Sequence, residues 1–176
     1  MVVTDDATGW TADDAVTRLF AVHYRPLVRL AALLLADRSH AEEVVADAYV
    51  GLHTHWRRLR DTDRALAYLR SSVVNRSRSA LRHRGVVARH VASVAAEPPQ
   101  TAPSAEVGAL ARAQQDAVLA ALAKLPTRQR EALVLRYYAD LSEAEIADAM
   151  GCSRGAVKSH TARGLTALRS RMERWT

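Results

Sequence analysis

Hydrophobic side chains recur three and four residues apart along almost the whole of this chain, and nowhere do β-branched residues alternate with polar ones over the length of a strand. That spacing restricts the fold to helices packed on helices. The pattern breaks clearly once, in "VVARHVASVAAEPPQTAPSAEVGALARA" (86–113), where Pro98, Pro99 and Pro103 remove backbone donors and disfavour helix. The expectation is an all-α protein of two small helical domains joined by a flexible linker: an N-terminal tail over 1–14, a first domain over 15–88, the linker over 89–113 and a second domain over 114–176. Half of the 176 residues are hydrophobic, so each domain can bury a core of its own.

In the first domain Leu19, Phe20, His23, Leu27, Leu30, Ala31 and Leu34 share one helical face, with Pro26 expected to start or kink a helix. The segment "SHAE" has the form of a capping box, with Ser39 accepting from the Glu42 amide. The helix after it separates its faces. Val45, Ala48, Leu52 and Trp56 lie on one side with Tyr49 beside them, and Glu43 and Asp47 lie on the other. A third helix is expected after the polar turn "RDTD", with Asp63 as its N-cap. Leu66, Val73, Ser77 and Ala80 point inward from it, while Ser71, Asn75, Arg78 and Arg82 form the opposite stripe.

The charge is unevenly placed. Residues 1–50 hold four Arg against eight acids, whereas residues 51–90 hold ten Arg against two, and residues 125–176 hold nine basic residues against six acids. Two basic blocks on compact helices suit a polyanion, because each neutralised phosphate releases condensed counterions; a merely solvated basic surface has the same composition. No acid interrupts the third helix's stripe after Asp63, and Asn and Ser among the arginines suit base edges as well as phosphates.

Cys152 is the single cysteine, which rules out an intramolecular disulfide or a multi-cysteine zinc site. The longest apolar run, Leu30–Ala36, is too short to span a bilayer, and the acidic N-terminus has no signal-peptide pattern. A soluble cytoplasmic protein without membrane insertion is expected. Enzymatic chemistry has no foothold. His53 and His55, two apart, project to different sides of a helix, and neither a paired-histidine metalloprotease motif nor a Gly-rich phosphate loop occurs, so no catalytic residue, metal or cofactor is expected.

In the second domain Leu119, Leu122 and Leu125 mark one helix, and "LPTRQREALVLRYYADLS" another, with Pro126 near its start and Leu133, Val134, Tyr137 and Tyr138 as core. Ser142 and Glu145 then form a capping box that opens a short helix with Ile146, Ala147 and Met150 inward. Gly151 supplies a left-handed turn, and Ser153 caps a further helix. On that helix Val157, Thr161, Gly164, Leu165 and Leu168 share one face. Gly155, Ser159, Ala162 and Arg163 share the other, with Lys158 at its edge and Arg154 at its start. This is a helix-turn-helix pattern. Small residues let the backbone approach a groove, the helix N-terminus favours phosphate, and Arg or Lys can bond the guanine edge.

These residues resemble the sigma-70 family, and within it the small extracytoplasmic-function (ECF) sigma factors, over residues 15–173. The C-terminal "LPTRQREALVLRYYADLSEAEIADAMGCSRGAVKSHTARGLTALR" is similar to the family's domain for the promoter −35 element. The N-terminal "AEEVVADAYVGLHTHW" and "AYLRSSVVNRSRSALRHR" are similar to its domain for the −10 element. The resemblance implies a subunit that binds bacterial core RNA polymerase (the β′ clamp helices and the β subunit), directs it to promoter DNA and helps melt the −10 region. It implies that Glu42, Glu43 and Asp47 meet the clamp helices, and that Ser71, Asn75, Arg78 and Arg82 lie along the −10 element. Arg60, Asp61, Thr62 and Asp63 correspond to a loop that captures an extruded base, and Ser153, Arg154, Gly155, Lys158, Ser159, His160 and Arg163 read the −35 element. An anti-sigma factor is implied as a further partner. The linker is also long enough for the two domains to pack on each other.

Two other readings compete with this one. A stand-alone helix-turn-helix regulator explains the second domain but leaves the Glu43/Asp47 face and the basic stripe of the first without a task. A helical adaptor that binds only protein would be excluded by salt-dependent DNA binding of the C-terminal fragment.

Overall fold

The computed structural model describes residues 9–59, 61–91 and 109–172; Arg60, expected in the base-capturing loop, lies outside them. Among the described residues there are seven helices and no strand: α1 (Ala12–Leu35), α2 (Ala41–Leu59), α3 (Thr62–Val91), α4 (Ala109–Ala123), α5 (Thr127–Tyr137), α6 (Glu143–Met150) and α7 (Arg154–Met172). The all-α expectation holds. Helix occupies both ends of the expected linker, since α3 runs on to Val91 and α4 already begins at Ala109.

Helices α1 to α3 form one unit around Leu19, Leu27, Leu30 and Leu34 of α1, Val45, Ala48, Leu52 and Trp56 of α2, and Ala65, Leu69, Val73 and Val74 of α3, all buried. Each large aliphatic side chain removed from water in this way contributes about 1.5–3 kcal/mol before entropic costs. Pro26 lies inside α1, which continues through it. Part of the segment expected as a tail belongs to this unit. Thr11 and Asp14 form a capping box at the start of α1, and the Trp10 ring stacks on Trp56, whose Nε1 donates to the Trp10 carbonyl at 3.0 Å. The Arg18 guanidinium lies over the Trp10 ring, 4.6 Å from its centroid. Tyr49 donates its hydroxyl to the Leu19 carbonyl, and burial pushes its phenol well above the usual range.

Two of the expected caps are replaced by nearer competitors. The Ser39 hydroxyl goes to the Asp37 carboxylate and the His40 ring, and α2 starts at Ala41. At the head of α3 it is Asp61, not Asp63, that caps: its Oδ1 accepts from the Asp63 and Arg64 amides at 2.8 and 3.3 Å.

Helices α4 to α7 form the second unit, with Leu122, Leu125, Leu133, Leu135, Ile146, Met150 and Val157 buried. Ser142 and Glu145 form the expected box, Gly151 is left-handed at φ 62°, and the Ser153 hydroxyl accepts from the Ala156 amide. Tyr137 and Tyr138, expected in the core, are exposed instead (64% and 39%): α5 ends at Tyr137, Leu141 rather than the tyrosines enters the core, and the Tyr138 hydroxyl reaches the Pro26 carbonyl of the first unit. The units touch each other where α3 meets α6 and α1 meets α5.

Candidate nucleic-acid interface

The geometry of the helix-turn-helix follows from three local choices. The Ser142–Glu145 box fixes the start of α6. The left-handed Gly151 closes it, with its amide bonding back to the Ala147 and Asp148 carbonyls. Ser153 then starts α7 in a new direction. Val157 and Gly164 are buried against the unit, with Leu165 and Leu168 partly so, which turns Arg154, Gly155, Lys158, Ala162 and Arg163 to solvent. Ser153 is exposed, and Ser159 and His160 are half-buried at the edges of that face. Lys158 lies 3.7 Å from Glu143, an ion pair open enough to be exchanged for a phosphate.

On α3 the outward stripe has a less simple fate. Asn75 and Arg82 are exposed and Ser71 is half-buried, and Arg82 reaches only the Ser79 hydroxyl. Arg78 is turned into the gap between the two units. Its Nε donates to Glu131 Oε1 at 2.9 Å and its Nη2 to Glu131 Oε2 at 2.8 Å, with a weaker bond from Nη2 to the Met150 carbonyl at 3.4 Å. Its remaining nitrogen bonds Asn75 Oδ1 at 3.3 Å. In the turn before α3, Asp61 and Asp63 are exposed and Thr62 is half-buried.

The acidic face of α2 stands opposite its buried stripe. Glu42, Glu43 and Asp47 are all exposed, and Asp47 pairs with Arg76 of α3 at 3.2 Å. Beyond it, Arg84 Nη2 sits 2.9 Å from Asp37 Oδ2 but off the hydrogen-bond direction, which makes the contact an ion pair alone. The Asp37 carboxyl is lowered although burial opposes this, because the Ser39 amide and hydroxyl, Arg84 and His40 all favour its charge. These partners on α3 partly neutralise the acidic face.

Sequence reasoning missed the residues that fill the gap between the units: Arg128, Glu131 and the Met150 carbonyl. Arg128 Nη1 donates to Glu131 Oε2 at 3.2 Å and to the Met150 carbonyl at 2.9 Å. An acid among the buried residues of α5 was the available signal, since a buried carboxylate requires a cation close by.

The sequence also matches two family models, "Sigma-70 region 2" over residues 19–86 and "Sigma-70, region 4" over residues 115–168. It is 32% identical over 149 residues to the RNA polymerase sigma-E factor of Streptomyces avermitilis, covering 84% of this chain and 79% of that protein. The chain belongs to the sigma-70 family. Within it the chain is an ECF sigma factor, being also 34% identical over 164 residues to the ECF RNA polymerase sigma factor SigL of Mycobacterium tuberculosis, covering 90% of this chain and 89% of that one. The sigma factor RpoE of Bartonella quintana, solved in complex with the anti-sigma factor NepR, shares the fold at a TM-score of 0.69 and 23% identity, over 89% of this chain and 96% of that chain. As an ECF sigma factor the protein binds core RNA polymerase and directs promoter recognition and transcription initiation. A stand-alone regulator is not favoured, because the region 2 match covers the half that such a reading left without a task. Among the described residues no helix is long and apolar enough to cross a membrane.

Proposed function

We propose that this ECF sigma factor divides its work between three surfaces. The solvent face of α7 (Ser153, Arg154, Gly155, Lys158, Ser159, His160 and Arg163) reads the −35 element. The α3 stripe (Ser71, Asn75, Arg78 and Arg82) lies on the −10 element, with Arg60, Asp61, Thr62 and Asp63 at the extruded base, whose unstacking costs a few kcal/mol. Glu42, Glu43 and Asp47 meet basic residues of the polymerase clamp helices. The protein works in the cytoplasm as a non-catalytic subunit, and an anti-sigma factor holds it inactive, as the solved RpoE–NepR complex suggests by its similar fold.

One observation carries this reading. The cations of α7 and the acids of α2 are solvent-exposed on separate units, so each can meet a partner of opposite charge without the other being displaced. Replacing Lys158 and Arg163 together by Ala should lower −35-dependent promoter selection about tenfold or more, at about 1–3 kcal/mol per lost base contact, and leave polymerase binding intact. Charge reversal of Glu43 and Asp47 to Lys should do the opposite. Co-elution of each variant with core polymerase, paired with transcription from promoters with altered −35 elements, separates the two. Loss of polymerase binding in the α7 variant would contradict the division.

A further inference from the structure

We infer that Glu131 and the carbonyl end of α6 act as an internal anion that occupies Arg78 and latches the two units in a closed state unable to engage promoter DNA. The inference rests on the reading of the α3 stripe as a −10 surface.

The geometry is that of a phosphate site filled from within. Arg78 presents Nε and Nη2 to the two oxygens of Glu131 at 2.9 and 2.8 Å, the parallel two-bond arrangement that a guanidinium also offers to two oxygens of a phosphodiester. Met150 is the last residue of α6, so its carbonyl belongs to the negative end of that helix and has no partner within it. Arg78 and Arg128 both donate to that carbonyl. The Glu131 side chain is 3% exposed and that of Arg78 19%, so the pair is shielded from the screening that weakens surface ion pairs.

Phosphate and Glu131 are therefore mutually exclusive occupants of Arg78. The second unit alone supplies Arg128 to one oxygen of Glu131, and the bond to the other oxygen comes from α3. Closure thus satisfies a carboxylate of one unit with the DNA-directed cation of the other. It also brings the end of α6, and with it the turn into α7, against α3. Among the described residues the units also meet through more exposed contacts, including the Tyr138 hydroxyl to the Pro26 carbonyl at 3.2 Å and Arg38 to Asp116 at 3.4 Å. A buried ion pair gains little net free energy over its hydrated partners, so the latch is specific without being tight. Any partner that binds only the open state then binds with an affinity reduced by the open fraction.

The test uses the full chain. Glu131→Gln keeps the side chain's size and removes its charge. Its radius of gyration by small-angle scattering should exceed that of the wild type, and its affinity for core polymerase should rise about threefold or more at equal salt. Unchanged radius and affinity would overturn the latch. Because Glu131 is buried in α5, Arg78→Gln provides the second measurement from the opposite unit and is read by radius alone. It should expand in the same way, and a compact Arg78→Gln beside an expanded Glu131→Gln would assign the expansion to damage in α5 and overturn the proposal. The −10 reading is tested apart from this, by the response of Arg78→Gln holoenzyme to substituted −10 elements. An unaltered preference there would remove Arg78 from the DNA surface while leaving the expansion result as it stands.

Discussion

Two glycines of α7 show how much depends on a single hydrogen. A Cβ on Gly164 would lie 3.0 Å from both Cγ and Cδ1 of Leu133 and 3.3 Å from the Gln129 carbonyl oxygen. Leu133 is buried and the oxygen is backbone, so α5 would have to shift. A Cβ on Gly155 would meet only Ser153 Oγ, at 3.9 Å. Helix propensity favours Ala by about 1 kcal/mol at both positions, but overpacking costs about 1–3 kcal/mol at the first. Gly164→Ala should therefore lower stability by on the order of 1 kcal/mol, and Gly155→Ala should raise it by up to about 1 kcal/mol while weakening −35 binding, because its methyl group would stand on the exposed face of α7 proposed to meet the promoter. Urea unfolding of both variants, with footprinting of the second, checks this; a neutral Gly164→Ala would mean that α5 and α7 are not held at this spacing. At this scale the sequence was legible where a residue faces its own unit, as for Gly164, Val157 and Met150. It was not legible for Arg78, whose outward position was correctly spaced but meets the other unit rather than solvent.

The helices themselves were readable because burial has a period of 3.6, and their ends were less so because caps are contests between nearby donors and acceptors. The Ser142–Glu145 box formed, whereas Ser39 was taken by Asp37, only two residues upstream, and Asp61 displaced Asp63 at α3. An S-x-x-E pattern specifies two bonds but is silent about rivals. Ser142→Ala should cost about 1 kcal/mol at neutral pH, and Ser39→Ala less, since its hydroxyl caps no helix. The Ser142 hydroxyl and amide hold the Glu145 carboxyl below its usual range. A carboxyl that is more acidic when folded stabilises above its unfolded pKa and loses that contribution as pH falls through the folded one. The gap between wild type and Ser142→Ala should accordingly narrow below about pH 4, where thermal melts at neutral and acidic pH would reveal it. A gap independent of pH would mean that the serine alone, without the glutamate, makes the cap. Proline 26 posed the reverse problem: α1 runs through it, since the helices around α1 bury both of its halves, from Leu19 to Leu34.

For the whole molecule, the sequence pointed to two helical units and a break between them, but not to how they dock. The groups that meet are far apart in the chain: 53 residues for Arg78 and Glu131, and 112 for Pro26 and Tyr138. No periodicity reports such distances, and here the docking hides part of the candidate DNA surface. A second cluster in the same gap adds a dependence on pH. His23 of α1 lines a cleft with Pro26, Leu27 and Leu30 of its own helix, Leu66 and Arg70 of α3, and Tyr138 and Ala139 at the end of α5. Burial, and then the charge of Arg70, push the His23 imidazole below its usual range, while burial raises the Tyr138 phenol against the opposing charge of Arg29. The lining thus offers a protonated imidazole a cation and a neutral phenol, while Glu145 of α6 acts on Arg70 from outside the lining. The neutral imidazole belongs to the closed state. Its contribution is complete above the unfolded pKa of about 6.5 and is lost as pH falls through the lower folded value, where a second positive charge would stand beside Arg70. Acidification from about pH 7.5 to 5.5 should expand the wild-type chain in small-angle scattering, and His23→Gln, uncharged throughout, should lose that response. Loss of the response in His23→Gln, which leaves the Arg78–Glu131 pair in place, separates this effect from the Arg78 latch. Expansion that persists in His23→Gln would place the titrating group elsewhere and leave the cleft with packing as its only task.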